Sequence, residues 1–155
     1  MKNAGETCVE VSCSDFLKNI LYCTDFSDTA QRAFDHVEKM VETGCPSVTI
    51  MHVQDKTKID KHLSQKLDEF NKIDAERIEM LRERLKKKGA RSIQMKMPHG
   101  IPTAEILDEI ATGNYSLIVM GSQGKGYIRE IFLGSVSHNI ARHAGVSLLL
   151  IAAMR

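Results

Sequence analysis

The 155-residue chain has no tryptophan, and aromatic residues are only 5% of it. It has no apolar run near the ~20 residues that a membrane-spanning helix needs; the run at 148–153 is far too short. A net charge of +1 gives no electrostatic footprint for nucleic acid. The opening segment, MKNAGETCVEVSCSDF, lacks the apolar centre of a secretory signal, so the expected location is cytoplasmic, with no membrane partner. Cys8, Cys13, Cys23 and Cys45 form no C-x-x-C pair and no zinc-like cluster with histidine. They are expected to be free thiols; a Cys8–Cys13 bridge stays open and would only staple the N-terminal tail. There is no G-x4-G-K-[ST] stretch, which excludes a Walker A loop. The residue three after Gly126 is Arg129, which excludes a dinucleotide fingerprint.

What the chain does contain is residues 117–137, LIVMGSQGKGYIREIFLGSVS. Four apolar residues stop at Gly121. A loop with Gly124 and Gly126 follows, then an amphipathic segment, then Gly134-Ser135 opening a helical pattern. A buried strand, a flexible turn and a helix N-terminus in succession gather backbone N–H groups and the positive end of a helix dipole at one spot, which suits a phosphate. Glycine serves there by permitting positive φ and a close approach of an anion to the backbone. The alternative is that these glycines only make a turn.

The rest of the chain alternates strand and helix. Residues 1–17 form an N-terminal extension and 18–155 a single domain, long enough to bury a core. NILYCT at 19–24 is apolar on both faces, as in a central parallel strand. Ser27 or Asp28 caps the next helix, whose apolar positions Ala30, Ala33, Phe34, Val37, Met40 and Val41 recur at helical spacing until Gly44 and Pro46. A second buried strand is expected at 47–53. A long helix should follow to Gly89, with a break near 60–64, its apolar positions running from Ile59 through Leu63, Leu67, Phe70 and Ile73 to Ile78, Leu81 and Leu85. Ile93, Met95 and Met97 alternate with polar residues and mark a half-exposed edge strand. Residues 98–102 turn the chain into a helix at 103–111. After the strand at 117–120 and the glycine loop come a helix from Ser135 to about His143 and a last strand at 146–151. This order implies an α/β fold: a single open, doubly wound parallel sheet with helices on both faces. Ligands of such sheets sit beyond the carboxyl ends of the strands. Thr24-Asp25 and Gly121 are both delivered to that edge.

The spacing Gly121-x2-Gly124-x9-Gly134-Ser135 resembles the G-x2-G-x9-G-[ST] signature of the universal stress protein family, in its ATP-binding branch. The likeness also rests on ILYCTDFSDTA (20–30), IMHV (50–53) and HGIPTAEI (99–106), and covers about 18–151. It implies a Rossmann-like, adenine nucleotide alpha hydrolase-like sheet of five strands in the order 3-2-1-4-5. It also implies bound ATP, with magnesium or manganese bridging the phosphates, and a homodimer through the C-terminal edge strand. By resemblance, Asp25 lies at the nucleoside end, with Cys23 and Thr24 beside it among the nucleotide-binding residues, and Val53 lines the adenine pocket with Met120 near it. Gly121, Gly124, Gly134, Ser135 and Val136 surround ribose and phosphates.

Simpler roles stand beside these. Asp25 and Ser135 are also natural helix caps. Val53 and Met120 would be apolar in any strand. Cys23 stands where relatives often have proline, and Gln123 where histidine is common. Cys23 is either a redox-sensitive thiol or, on better grounds, a small buried hydrophobe. Lys125 and Arg129 are loop cations that water normally solvates. His52, His99, His138 and His143 lack metal-ligand spacing and are read as structural or surface residues. No residue stands out as a catalytic base; Glu130 falls on a surface face. The leading expectation is a nucleotide-binding regulatory stress-response protein rather than an efficient enzyme. A slow or partner-stimulated ATPase, and a dimeric interaction module with a vestigial site, are the alternatives.

Overall fold

The computed structural model describes residues 15–44, 46–55, 64–124 and 133–152. Residues 1–14 with Cys8 and Cys13, Cys45, Ile59, Leu63 and the loop residues Lys125, Gly126, Arg129 and Glu130 lie outside the described residues. After a 3-10 turn at Asp15–Leu17 come β1 (Asn19–Cys23), α1 (Asp28–Gly44), β2 (Ser47–Met51) and β3 (Gln54–Asp55). Then follow α2 (Ser64–Lys88), β4 (Ser92–Lys96), β5 (His99–Gly100) and α3 (Pro102–Thr112). The chain closes with β6 (Leu117–Gly121), α4 (Ser135–His143) and β7 (Ser147–Ile151).

Five parallel strands form one sheet in the order β4-β2-β1-β6-β7. Counted along the chain without the short β3 and β5, this is the expected 3-2-1-4-5. The reason β1 is central lies in its residues. Ile20 and Tyr22 face the layer of α1 and α2, among Phe34, Val37, Ile78 and Leu85. Leu21 and Cys23 face the other layer, among Ile106, Ile110, Ile118 and Ile140. A strand apolar on both faces is stable only when both are covered.

Ser27 caps α1, its Oγ accepting the Ala30 N–H at 3.3 Å. The apolar stripe of α1 (Ala30, Ala33, Phe34, Val37, Val41) is buried against the sheet. On its outer side Arg84 of α2 donates to both carboxylate oxygens of Glu38, at 2.9 and 2.8 Å, and lies 4.7 Å over the Phe34 ring. Gly89, at φ +90°, ends α2: its N–H reaches Lys86 O and that of Ala90 reaches Leu85 O.

Two expectations need correction. The apolar pattern of α2 is buried from Ile78 onward, but Phe70 is 54% and Ile73 39% exposed. A helix of 25 residues spans ~37 Å, about twice a five-residue strand, so its first turns outrun the sheet. The second strand also ends at Met51, not Val53. Gln54–Asp55 instead pairs with His99–Gly100 in a separate two-stranded parallel ribbon. Pro98 has no N–H to continue the β2–β4 ladder, while its carbonyl still accepts from Gln54 N at 2.9 Å.

Phe34 is fully buried and touches Tyr22, ring centroids 5.3 Å apart. Replacing it by alanine should lower the unfolding free energy by about 3–5 kcal/mol, read from urea denaturation. A loss under about 1 kcal/mol would mean that this layer is not the folding core.

Candidate functional site

The carboxyl edge of β1 is built from short side chains that fold back on their own backbone. Thr24 continues the ladder, its N–H donating to Met51 O at 2.9 Å, and its Oγ1 accepts the Phe26 N–H at 3.0 Å. Asp25 Oδ1 accepts the Ser27 N–H at 3.0 Å. These are the local turns that Thr and Asp favour. Between them Phe26 sits at φ 60°, a left-handed conformation that costs a bulky residue about 1–3 kcal/mol unless its surroundings hold it. Ser27 then starts α1, so Asp25 is not the helix cap.

This turn is stitched to the glycine loop after β6. Thr29 Oγ1 donates to the carbonyl of Gln123, and Ser27 Oγ reaches the same oxygen at 3.5 Å. A Cβ added at Gly124 would stand 2.7 Å from Asp25 Oδ2, so the loop backbone lies directly against that carboxylate. A Cβ at Gly121 would stand 2.5 Å from Thr29 Oγ1 and 2.9 Å from the Ala30 nitrogen, so this glycine is required by helix-to-strand packing. Gly134 is less constrained, with Ser122 O at 3.3 Å. None of these three has positive φ; the left-handed residue of the edge is Phe26. The expected use of glycine for positive φ is therefore replaced at these positions by close approach.

The loop closes at its neck. Ser122 O accepts from Gly134 N and from Ser137 Oγ, both at 2.7 Å, and Ser122 N donates to Ile151 O at 2.9 Å. Gly134 is the N-cap of α4 and makes no side-chain cap bond. Ser135 is thus the first helical residue and exposed, which corrects its reading as a cap. The N–H groups of the first turn of α4 point out of the helix end, where a helix dipole is positive.

The structure brings the expected residues to one edge. Cys23 and Met120 are register partners on adjacent strands, both buried. Val53 and Val136, half-buried, pack on the same apolar cluster as those two. Thr24, Asp25, Gly121, Gly124, Gly134 and Ser135 surround them as described. His99, His138 and His143 are exposed, on β5 and α4. Sequence reasoning did not single out Ser122, Ser137 or Thr29, and it gave Gln123 no contact. Small hydroxyl residues beside glycines and at helix starts were the available signal. The Gln123 side-chain oxygen is buried with no hydrogen-bond partner among the described residues. Two surface cavities, of about 460 and 590 Å³, lie elsewhere and include no glycine of this loop: one between β4 and α3, one at the opposite edge of the sheet.

Residues 17–152 match the model of the Universal stress protein family. Universal stress protein MJ0577 of Methanocaldococcus jannaschii is 31% identical over 153 residues, covering 86% of this chain and 94% of that protein. The solved MJ0577 structure superposes with a TM-score of 0.83 at 28% identity, over 90% of this chain and 99% of that one. Two solved relatives share the fold at lower identity. One is a universal stress protein in complex with cAMP (23%, TM-score 0.62, 87% of this chain and 96% of that one). The other is an Arabidopsis thaliana family member with AMP bound (18%, TM-score 0.62, 86% and 90%).

The surroundings of Cys23 favour the buried-hydrophobe reading. Burial, with a smaller contribution from the Glu109 charge, pushes its thiol up to about 12. The raised value favours the neutral thiol at pH 8, the form that is not the nucleophile. Peptide mapping after native iodoacetamide treatment at pH 8 should find Cys23 unmodified, with labelling appearing only on unfolding. Rapid native labelling would restore a redox role.

Proposed function

The chain belongs to the universal stress protein family, and from that premise we propose that it binds an adenine nucleotide, ATP, at the carboxyl edge of β1 and β6. The observation that carries this reading is the packing of Gly124 against the Asp25 carboxylate beside the N-terminus of α4. It sets a loop backbone and a helix end, both suited to phosphate, next to an acceptor suited to ribose hydroxyls. Relatives holding cAMP and AMP support the ligand class. Cys23, Thr24 and Asp25 would lie along the nucleoside, Val53 and Met120 against adenine, and Gly121, Gly124, Gly134, Ser135 and Val136 around ribose and phosphates. The Gln123 side-chain oxygen, buried with no hydrogen-bond partner among the described residues, is an acceptor that a donor on the ligand would satisfy.

Among the described residues no cluster of three His, Cys, Asp or Glu could hold a metal ion. Magnesium or manganese would bridge the phosphates and neutralise their charge. We read residues 18–155 as one such domain, acting in the cytoplasm as a regulatory module in the stress response. Nucleotide binding would order the glycine loop and alter a surface read by a partner.

Among the described residues the sheet ends at β7, whose Leu148, Leu149 and Leu150 are half-buried and whose strand neighbour is β6. An apolar edge strand invites pairing with a second copy. Sedimentation at micromolar concentration should give a dimer; a monomer would remove that part of the proposal.

Calorimetric titration of the nucleotide-free protein with ATP and magnesium should give one site per chain. Gly124→Val drives its side chain into Asp25 and should abolish the signal while thermal unfolding stays cooperative. Retained affinity in that variant would defeat the site assignment.

A further inference from the structure

His52, one residue past β2, is 7% exposed and reaches Asp74 of α2. Its Nδ1 lies 2.8 Å from the carbonyl oxygen of Thr24 and its Nε2 3.2 Å from Asp74 Oδ2. A carbonyl and a carboxylate both accept, so a ring nitrogen makes its bond by donating when it carries the proton. The Phe26 ring packs on the imidazole, with centroids 4.5 Å apart and planes at 42°. Arg77 covers Phe26 from above, 5.3 Å from the ring centroid, and pairs with Asp74 at 3.5 Å.

These contacts surround the one non-glycine residue with positive φ among those described. A phenylalanine in the left-handed region persists where its neighbours over-determine it. Here the over-determination comes from outside the turn: α2 holds His52, and His52 holds the carbonyl on one side of Asp25 and the ring on the other. We propose that His52 is a positioning residue for the ligand edge. It anchors Thr24 and Phe26 so that Asp25 stands against Gly124, and Asp74 orients its ring. The proposal rests on the nucleotide reading given above. It makes the N-terminal half of α2 part of that site's support, although no residue of α2 is among those assigned to the ligand.

The two ring bonds can be separated. Asparagine places its amide nitrogen where Nδ1 is, and glutamine places its own where Nε2 is. His52→Asn therefore keeps the Thr24 bond and loses Asp74, and His52→Gln does the reverse. Both lose one bond and some packing, so a merely structural histidine would give two variants alike in ATP affinity as in thermal stability. Positioning predicts a split. ATP affinity by calorimetry should stay within about threefold in His52→Asn and fall about tenfold in His52→Gln, the effect of one buried hydrogen bond. In nucleotide-free protein, amide exchange at Phe26 and Ser27 should remain slow in the asparagine variant and accelerate about tenfold in the glutamine variant. Equal behaviour of the two variants, or the opposite order, overturns the proposal. A wild-type protein that binds no ATP would defeat the nucleotide reading instead, and the exchange rates alone would then decide whether His52 positions the turn.

Discussion

Burial of β1 on both faces is the constraint on which the other elements depend. Ile20, Leu21 and Tyr22 are at most 1% exposed, so neither face of this strand can be left to water. Covering both requires a helix layer on each side, and parallel neighbours β2 and β6 require crossover connections that supply those helices. Each crossover returns a helix antiparallel to its strands, so the N-termini of the helices gather at the carboxyl edge of the sheet. The electrostatic character of that edge is a consequence of packing a hydrophobic strand.

What happens at the edge is a matter of short distances. Thr29 and Ser27 fix the Gln123 carbonyl, Gly121 lets α1 approach β6, and Gly124 lies on Asp25. Each needs a small or hydroxyl-bearing residue on one partner, and a larger side chain would separate elements that must touch. The strained Phe26 lies within this assembly, not on a free surface loop. Its conformation is held by a ring contact and by a carbonyl anchored through His52 to α2. Strain of this sort is retained where a site needs a defined geometry.

Local chemistry made some of this visible before any coordinates. TDFSD carries the residues that make short backbone turns and caps, and the structure uses Thr24, Asp25 and Ser27 in that way. The helix starting at Ser135 and ending at His143 has its predicted limits. Other features were hidden because they join distant residues. The β3–β5 ribbon pairs Gln54 with His99, and neither two-residue strand has a periodicity to detect. His52 and Asp74 are 22 residues apart and Ser27 and Gln123 are 96 apart, with nothing in either neighbourhood announcing the other. The exposure of Phe70 and Ile73 was equally illegible, since helical spacing gives the side of a helix but not where the sheet beneath it stops.

The sequence by itself determined the five strands of the sheet, the four helices among the described residues and the class of fold. Period, capping residues and glycine spacing are properties of a few consecutive positions, so they survive without coordinates. Only the tertiary structure decided what each glycine is for. Gly121 is small because α1 packs on it, Gly124 because Asp25 does, and Gly134 closes the loop neck through its N–H. It also decided that the turn carrying Asp25 leans on a histidine and a helix that the motif does not include. Contact across the fold assigns those roles, and contact between residues far apart in the chain exists only once the chain has folded.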